Sequence, residues 1–284
     1  MKNRSPYKII VFAIVLAFTL LSIGCHADEG NASTLDLYVF SCGKADAILL
    51  QFDGHNVLVD TGENGDGEEI VTELESKNVE KIDLLILTHH DKDHIGGADV
   101  ILDRLPVSEV RMPDYEIDSK QYAQLDAALS KSSANIIRMQ SDDSFSIGSA
   151  DFKIWTSTIP FNGKNDNEQS LITKVYYNGK TILLMGDAED DWLKDLCFSG
   201  RNLTCDIMKL PHHGVYDKSL IALFAVTMPE YVIVTDSAKN PAEAETLSLL
   251  NTFDCNVYRT ALGTIHLSVH NKSVTVQQIG RAHV

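Results

Sequence analysis

Apolar residues set the architecture of this chain by their spacing. Leu35-Asp36-Leu37-Tyr38-Val39-Phe40 alternates, Ala47 to Phe52 is a compact apolar run, and His55 to Asp60 follows the turn residues Asp53-Gly54. These patterns predict three early strands joined by tight turns. Glu68 to Lys77 changes to helical spacing, and Ile82 to Leu87 is a continuous apolar run suited to a strand buried on both faces. Ala98 to Leu105 is again helical, Val107 to Met112 predicts a strand, and Ser119 to Ser132 predicts a surface helix.

The second half repeats this order. Phe145 to Ile147, Phe152 to Thr156, Ser170 to Tyr177 and Thr181 to Met185 are expected as consecutive strands, with Asn178-Gly179 supplying a hairpin turn. Helices are expected over Asp190 to Phe198, Ser219 to Val226 and Glu243 to Phe253, separated by strands at Ile207 to Leu210 and Tyr231 to Thr235. Thr264 to Val276 predicts a closing hairpin. There is no short-period repeat, low-complexity tract or Pro/Gly-rich linker after residue 33. Two facing sheets with helices outside would account for this order, although periodicity alone leaves several α/β folds open.

The first residues follow different rules. Lys2, Arg4 and Lys8 precede an uncharged apolar run from Ile9 to Gly24, the layout of an export signal. That run falls short of the roughly 20 residues a membrane-crossing helix needs. It ends at Leu21-Ser22-Ile23-Gly24-Cys25, which resembles a bacterial lipoprotein box, with Ser22 where leucine is usual. The expected organisation is a signal peptide over 1–24, a small polar tether over 25–33 and one folded domain over 34–284. Lipidated Cys25 would then hold the protein to the membrane surface on the extracytoplasmic side. An uncleaved anchor and ordinary secretion are the alternatives.

Charge narrows the partners. The chain carries 24 Lys and Arg against 40 Asp and Glu, a formal net charge of −16. Cleavage before Cys25 removes three positive charges and makes it −19 (21 against 40). A surface of this sign repels polyanions, so tight duplex nucleic-acid binding is not expected. Bound divalent ions would still make an active site locally positive, so phosphate chemistry is not excluded. After Cys25 the cysteines are Cys42, Cys197, Cys205 and Cys255, none at zinc-knuckle spacing. Four thiols are expected, a Cys197–Cys205 bridge being the main exception.

Thr88-His89-His90-Asp91-Lys92-Asp93-His94-Ile95-Gly96-Gly97 follows the apolar strand at Ile82 to Leu87. Five metal-ligand side chains within six residues, at the carboxyl end of a buried strand, point to an ion. Without one, imidazoles and carboxylates at this density would repel and desolvate one another. Gly96 and Gly97 allow a helix to begin close by.

This segment resembles the His-x-His-x-Asp-His signature of the metallo-β-lactamase superfamily, in particular the branch of the ComEC/Rec2 DNA-uptake proteins, with Asp91 in place of the second His. Ser41-Cys42-Gly43-Lys44-Ala45-Asp46-Ala47 resembles that branch's Gly-Gln-Gly-Asp-Ala turn, and Val57 to Gly62 its Asp-Thr-Gly strand end. Asn167 to Leu171, Leu184 to Ala188 and Lys209 to Gly214 resemble its Asn-rich strand entry, Gly-Asp turn and Lys-Val-Pro-His-His-Gly segment. The resemblance covers nearly all of Leu35 to Val276. It implies a four-layer αββα sandwich and one or two divalent ions, Zn or Mn. His89 and Asp91 would hold one ion and Asp93 and His94 a second, with Asp187 bridging and His212 or His213 completing or bordering the site.

The catalytic set implied is Asp93, Asp187 and His213, acting on a small or single-stranded phosphodiester. Lys44, Asp46, Asn167 and Asn240 are candidate substrate contacts. Lys44 and Asp46 are otherwise turn residues, and Asp60 is expected as a structural carboxylate more than a ligand. Ser237 to Pro241 departs from the branch, with Asn240 where a late His ligand is usual. Two other readings remain open: a lactone or β-lactam hydrolase, and a metal-binding lipoprotein without catalysis.

Overall fold

The computed structural model describes residues 33–280, so the expected export segment over 1–24, Cys25 and nearly all of the tether lie outside the described residues. The first half runs β1 (Leu35–Val39), β2 (Ile48–Phe52), β3 (His55–Val59), α1 (Gly67–Ser76), β4 (Ile82–Ile86), α2 (Lys92–Ile95), α3 (Ala98–Arg104), β5 (Val107–Pro113), α4 (Lys120–Leu129) and β6 (Asn135–Met139). The second runs β7 (Asp143–Ile147), β8 (Ala150–Trp155), β9 (Ile172–Tyr177), β10 (Lys180–Leu184), α5 (Asp190–Phe198), β11 (Ile207–Lys209), α6 (Leu220–Thr227), β12 (Tyr231–Val234), α7 (Ala244–Leu250) and β13 (Asn256–Arg259). A hairpin of β14 (Thr264–His270) and β15 (Ser273–Ile279) ends it.

Helical crossovers make the parallel neighbours and short turns most of the antiparallel ones, the exceptions being β1–β14 and β8–β9, which pair antiparallel across longer stretches of chain. In the first sheet, ordered β15-β14-β1-β2-β3-β4-β5-β6, pairing is antiparallel through β3 and parallel from β3 to β6. In the second, ordered β13-β12-β11-β10-β9-β8-β7, pairing is antiparallel from β7 to β10 and parallel from β10 to β13. Asn178 and Gly179 both take positive φ (48° and 78°), which is the backbone of the tight β9–β10 hairpin.

Period-two alternation sorts the side chains into layers. Leu35, Leu37, Val39, Ile48 and Leu50 meet Phe152, Ile154, Val175, Ile182 and Leu184 between the sheets. Leu49, Leu58 and Leu85 point the other way, under Ile70, Leu74, Ile101 and Leu125 of the helices. Leu183, Met208 and Val232 lie under Trp192, Leu196, Leu223 and Phe224. Helix, sheet, sheet and helix thus stack as the four-layer αββα sandwich.

Two parallel edge strands had no period-two signal to read. In β6 Asn135 and Ile136 are exposed, and β13 is four residues of which none is fully buried, so neither carries a pattern of burial. All four described cysteines are free thiols, so the expected exception, a Cys197–Cys205 bridge, is absent from this structure. Among the described residues no helix is long and apolar enough to cross a membrane.

Candidate metal centre

The carboxyl ends of β3 and β4 in one sheet meet those of β10, β11 and β12 in the other, and loops leaving these ends carry the polar residues. Open α/β sheets place ligand sites at such ends. Thr88 to His94 leaves β4 and turns immediately into α2, with the His94 and Ile95 N–H groups donating to Asp91 O at 3.0 and 3.1 Å. Gly96 and Gly97 are required by contact. An added Cβ would lie 2.4 Å from Asn64 N at the first and 2.3 Å from Thr61 O at the second. The loop therefore sits against the Asp60-Thr61-Gly62 strand end.

Asp60 organises that junction. It is fully buried and accepts from Thr88 N–H and Thr88 Oγ1, both at 2.8 Å, and faces His94 Nδ1 at 2.8 Å. From the opposite sheet, Asp187 donates its N–H to Ser170 Oγ at 3.0 Å, which aims the carboxylate inward. The turn Pro211–Gly214 holds both His212 and His213 at positive φ (46° and 52°). Left-handed backbone costs a non-glycine residue roughly 1–2 kcal/mol, the kind of strain that functional sites retain.

Each of three imidazoles has Nδ1 occupied and Nε2 directed to a common centre. His89 Nδ1 meets Thr88 Oγ1 at 3.1 Å, His94 Nδ1 meets Asp60, and His213 Nδ1 meets Thr235 Oγ1 and O at 2.9 and 3.1 Å. His94 Nε2 comes within 3.2 Å of Asp187 Oδ1, and His213 Nε2 within 3.0 Å of Asp187 Oδ2 and 3.6 Å of Asp93 Oδ2. The Nε2 atoms of all three, with Asp187 Oδ1 and Asp46 Oδ1, are buried and have no hydrogen-bond partner. Buried polar atoms are almost always satisfied, so atoms left without a hydrogen bond in overlapping clusters around Asp187 fit a divalent cation held there. Ligand atoms of His89, His94 and Asp187, of Asp93, His94 and His213, and of Asp46, Asp187 and His213 each lie within 4.8 Å of one another. Fixing Nδ1 with an acceptor and leaving Nε2 free is how proteins orient metal-binding imidazoles.

The charges are set against one another. Burial alone would raise the pKa of Asp187, but His213, His94 and Lys209 hold it well below the usual carboxylate range. Burial likewise works against the His94 cation, yet Asp187 and Asp60 keep its pKa well above that of free imidazole. For His89 burial wins, with the His94 charge adding to it, and its pKa falls well below the ordinary value. Burial raises Asp60 in spite of His94.

The structure brings His89, Asp93, His94, Asp187 and His213 together, and it revises the other expectations. His212 faces Glu189 Oε2 at 2.7 Å and Asn167 Nδ2 at 3.4 Å and so borders the cluster that His213 enters. Asp91 approaches His89 Nε2 only to 3.8 Å and its side chain is 43% exposed, so it stands at the edge of the cluster. Its pKa is raised to about 6 by burial and by the neighbouring Asp166 and Asp93. Asp46 is not a surface contact for substrate. It is 1% exposed and ion-paired with the fully buried Lys209, which also donates to Gly186 O at 2.9 Å and lies 3.5 Å from Asp187 Oδ1. Lys44 is half-buried at the rim, where its charge acts on His212, and Asn167 keeps Oδ1 buried and unpartnered. Asn240 is exposed in the Ser237–Asn240 turn, with its N–H on Ser237 Oγ.

Sequence reasoning gave no role to Lys209, Thr235, Tyr115 or Asp166. Lys209 opens the Lys209 to Gly214 segment at the end of β11, but its role as a buried counter-ion shows only once its burial is known. Tyr115 accepts from His90 N–H at 3.0 Å, and its ring lies tilted against the His90 ring with centroids 4.2 Å apart.

Residues 41–235 match the sequence profile described as the metallo-beta-lactamase superfamily. The chain is 24% identical over 296 residues to ComE operon protein 3 of Bacillus subtilis (strain 168), covering 95% of this chain and 37% of that protein. It is 26% identical over 243 residues to competence protein ComA of Neisseria gonorrhoeae, covering 82% of this chain and 32% of that one. It thus spans about a third of the length of these relatives. Among solved structures, the metallo-beta-lactamase fold protein YhfI from Bacillus subtilis superposes with a TM-score of 0.57 at 13% identity, covering 86% of this chain and all (100%) of YhfI. That likeness is one of fold.

Proposed function

This chain belongs to the metallo-β-lactamase superfamily, and from that membership we propose that it is a metal-dependent hydrolase of phosphodiesters that uses a metal-activated water. The observation that carries the reading is the convergence of three unpartnered imidazole Nε2 atoms on the Asp187 carboxylate, whose two oxygens face different histidines. His89, His94 and Asp187 would hold one ion, and Asp93, His94 and His213 form a second converging group beside it. The mixed imidazole and carboxylate set suits Zn or Mn.

A divalent ion held there supplies Lewis acidity, lowering the pKa of a water toward neutrality and polarising a phosphoryl oxygen. Asp93, at 19% exposed the carboxylate most open to solvent of the inner set, would orient a water activated there and take up its proton. Asp60, Thr88 and Thr235 keep the imidazoles in one tautomer and one orientation. Lys44 at the rim would supply a positive charge to a substrate phosphate, and His212, tied to Glu189, borders the site.

The phosphodiester class is supported by resemblance to the ComEC branch and by relatives of which one is named a competence protein. The formal charge of −16 favours a small or single-stranded substrate over a duplex. Export and attachment through a lipid on Cys25 complete the proposal.

The test is elemental analysis of the purified protein together with hydrolysis of bis-p-nitrophenyl phosphate under added Mn²⁺ or Zn²⁺. One or two bound ions, with metal-stimulated turnover that Asp93→Ala lowers by at least about 100-fold, is the expected result. Bound metal without turnover would make the protein a metal-binding module. Zinc-dependent opening of a lactone or β-lactam, with no phosphodiester cleavage, would move it to that class.

A further inference from the structure

The outer face of β8 and β9 carries a groove of about 470 Å³ that shares no residue with the metal centre. It is lined by strand residues and by the segment 201–204 that follows α5. Three cations, Lys153, Lys174 and Arg201, stand there against one carboxylate, Asp151, in a chain whose acids outnumber its bases 40 to 24. Arg201 is paired with Asp142 at 2.9 Å, and Asp151 accepts from Ser146 Oγ at 2.6 Å. The charge left over is that of the two lysines.

Their placement is unfavourable on its own. Lys153 and Lys174 stand directly opposite one another on antiparallel strands, a position at which like charges destabilise a sheet. Lys153 is exposed and makes no ion pair with a described residue. Lys174 is half-buried and donates only to uncharged oxygens, Asn202 O at 2.7 Å, Thr204 O at 2.8 Å and Asn202 Oδ1 at 3.5 Å. Burial, with the Lys153 charge adding to it, holds the Lys174 pKa below the ordinary lysine value. An anion between the two lysines would offset their repulsion. Aromatic side chains flank the pair on the same face, Tyr176 at one end, 51% exposed, and Trp155 at the other. Two cations between aromatic side chains, in a space of this size, match a phosphate joined to a flat ring, which gains Coulomb attraction and stacking together.

We propose that this groove is a second ligand site, apart from the metal centre, that binds a mononucleotide with its phosphate between Lys153 and Lys174 and its base on Tyr176. The site does not rest on the hydrolase reading, although a phosphate monoester is also what cleavage of a diester releases. It gives the exposed tyrosine and the opposed lysines, which contribute nothing to the packing of the sheet, a common use.

The experiment is calorimetric titration of the full chain with adenosine monophosphate, with and without added Mn²⁺. One equivalent should bind in both conditions. Binding should weaken by about tenfold or more in Lys153→Gln/Tyr176→Ser, through the lost stacking and charge. Both substitutions replace exposed side chains, so the fold is kept. Lys44→Gln, at the rim of the metal centre, should change the affinity by less than about twofold, because Lys44 is not among the residues that line the groove. Inorganic phosphate and adenosine should each bind more weakly than the monophosphate, by about tenfold or more, since each keeps only one of the two contacts. No binding of the monophosphate, binding that the double variant leaves unchanged, or binding that needs Mn²⁺ and falls in Lys44→Gln would overturn the site. Inorganic phosphate binding as tightly as the monophosphate would overturn the seat of the base on Tyr176. None of these readouts depends on turnover, so failure to cleave bis-p-nitrophenyl phosphate would overturn the hydrolase reading and leave this one standing.

Discussion

Lys209→Met is the most informative single substitution outside the ligand set. Lys209 is fully buried, and its ammonium is shared among Asp46, Gly186 O at 2.9 Å and Asp187 at 3.5 Å. Its pKa is raised even though burial opposes the charge, because Asp46 and Asp187 hold it. Methionine keeps most of the volume and removes the charge, so Asp46 becomes a buried carboxylate without its main partner. Breaking one side of a buried ion pair costs about 3–5 kcal/mol, a large part of the roughly 5–15 kcal/mol that stabilises a domain. At about 2–4 °C per kcal/mol for a domain of this size, the midpoint of metal-free protein should fall by roughly 6–20 °C. Replacing both partners, Asp46→Asn with Lys209→Met, removes the orphaned charge and should recover most of that loss. Divalent metal should also stabilise Lys209→Met more than wild type, since an added cation compensates the same carboxylates. Thermal denaturation with chelator and then with Mn²⁺ reads all three. A single variant melting within about 3 °C of wild type, or a double variant no more stable than the single, would refute the claim that the pair holds the floor of the site.

Other consequences can be checked separately. Asp60→Asn weakens the hold on His94 Nδ1 (2.8 Å) and should lower metal affinity by about 10- to 100-fold in a chelator competition, with the fold kept; unchanged affinity would deny Asp60 its orienting role. Burial would depress the pKa of His212, but its hydrogen bond to Glu189 and the fields of Asp187 and Glu189 raise it. The pair in metal-free protein thus stabilises fully below the ordinary imidazole value and loses that contribution as pH rises through the raised one. An NMR titration should show His212 above the free value and Glu189→Gln should bring it down; a normal value in wild type would refute the pairing. Burial pushes the Cys197 and Cys205 thiols up to about 11 and about 12, so both should react with a disulfide reagent at neutral pH far more slowly in native than in unfolded protein. Rapid native labelling of Cys205 would count against its burial.

Local chemistry determined much of this protein. Alternation at Leu35, Leu37 and Val39, the apolar run at Ile82 to Leu87 and the helical spacing of Asp190 to Phe198 were enough to place strands and helices, because one buried face per element imposes its own period. The ligand-rich segment at His89 to His94 could be recognised because such residues within six positions have few uses apart from a cation. What needed the tertiary structure was everything decided by contact between distant segments. His213 enters the cluster and His212 borders it although they are adjacent and identical, one facing Asp187 and the other Glu189. Asp46 is a buried partner of Lys209 and not a rim contact because strands of opposite sheets bring residues 163 positions apart together (209 − 46). Asp91 and Asp166 are brought into contact from separate loops, which neither segment encodes alone. Burial and electrostatic partnership are properties of the assembled sandwich, and along the chain only the residue types that make them feasible are visible.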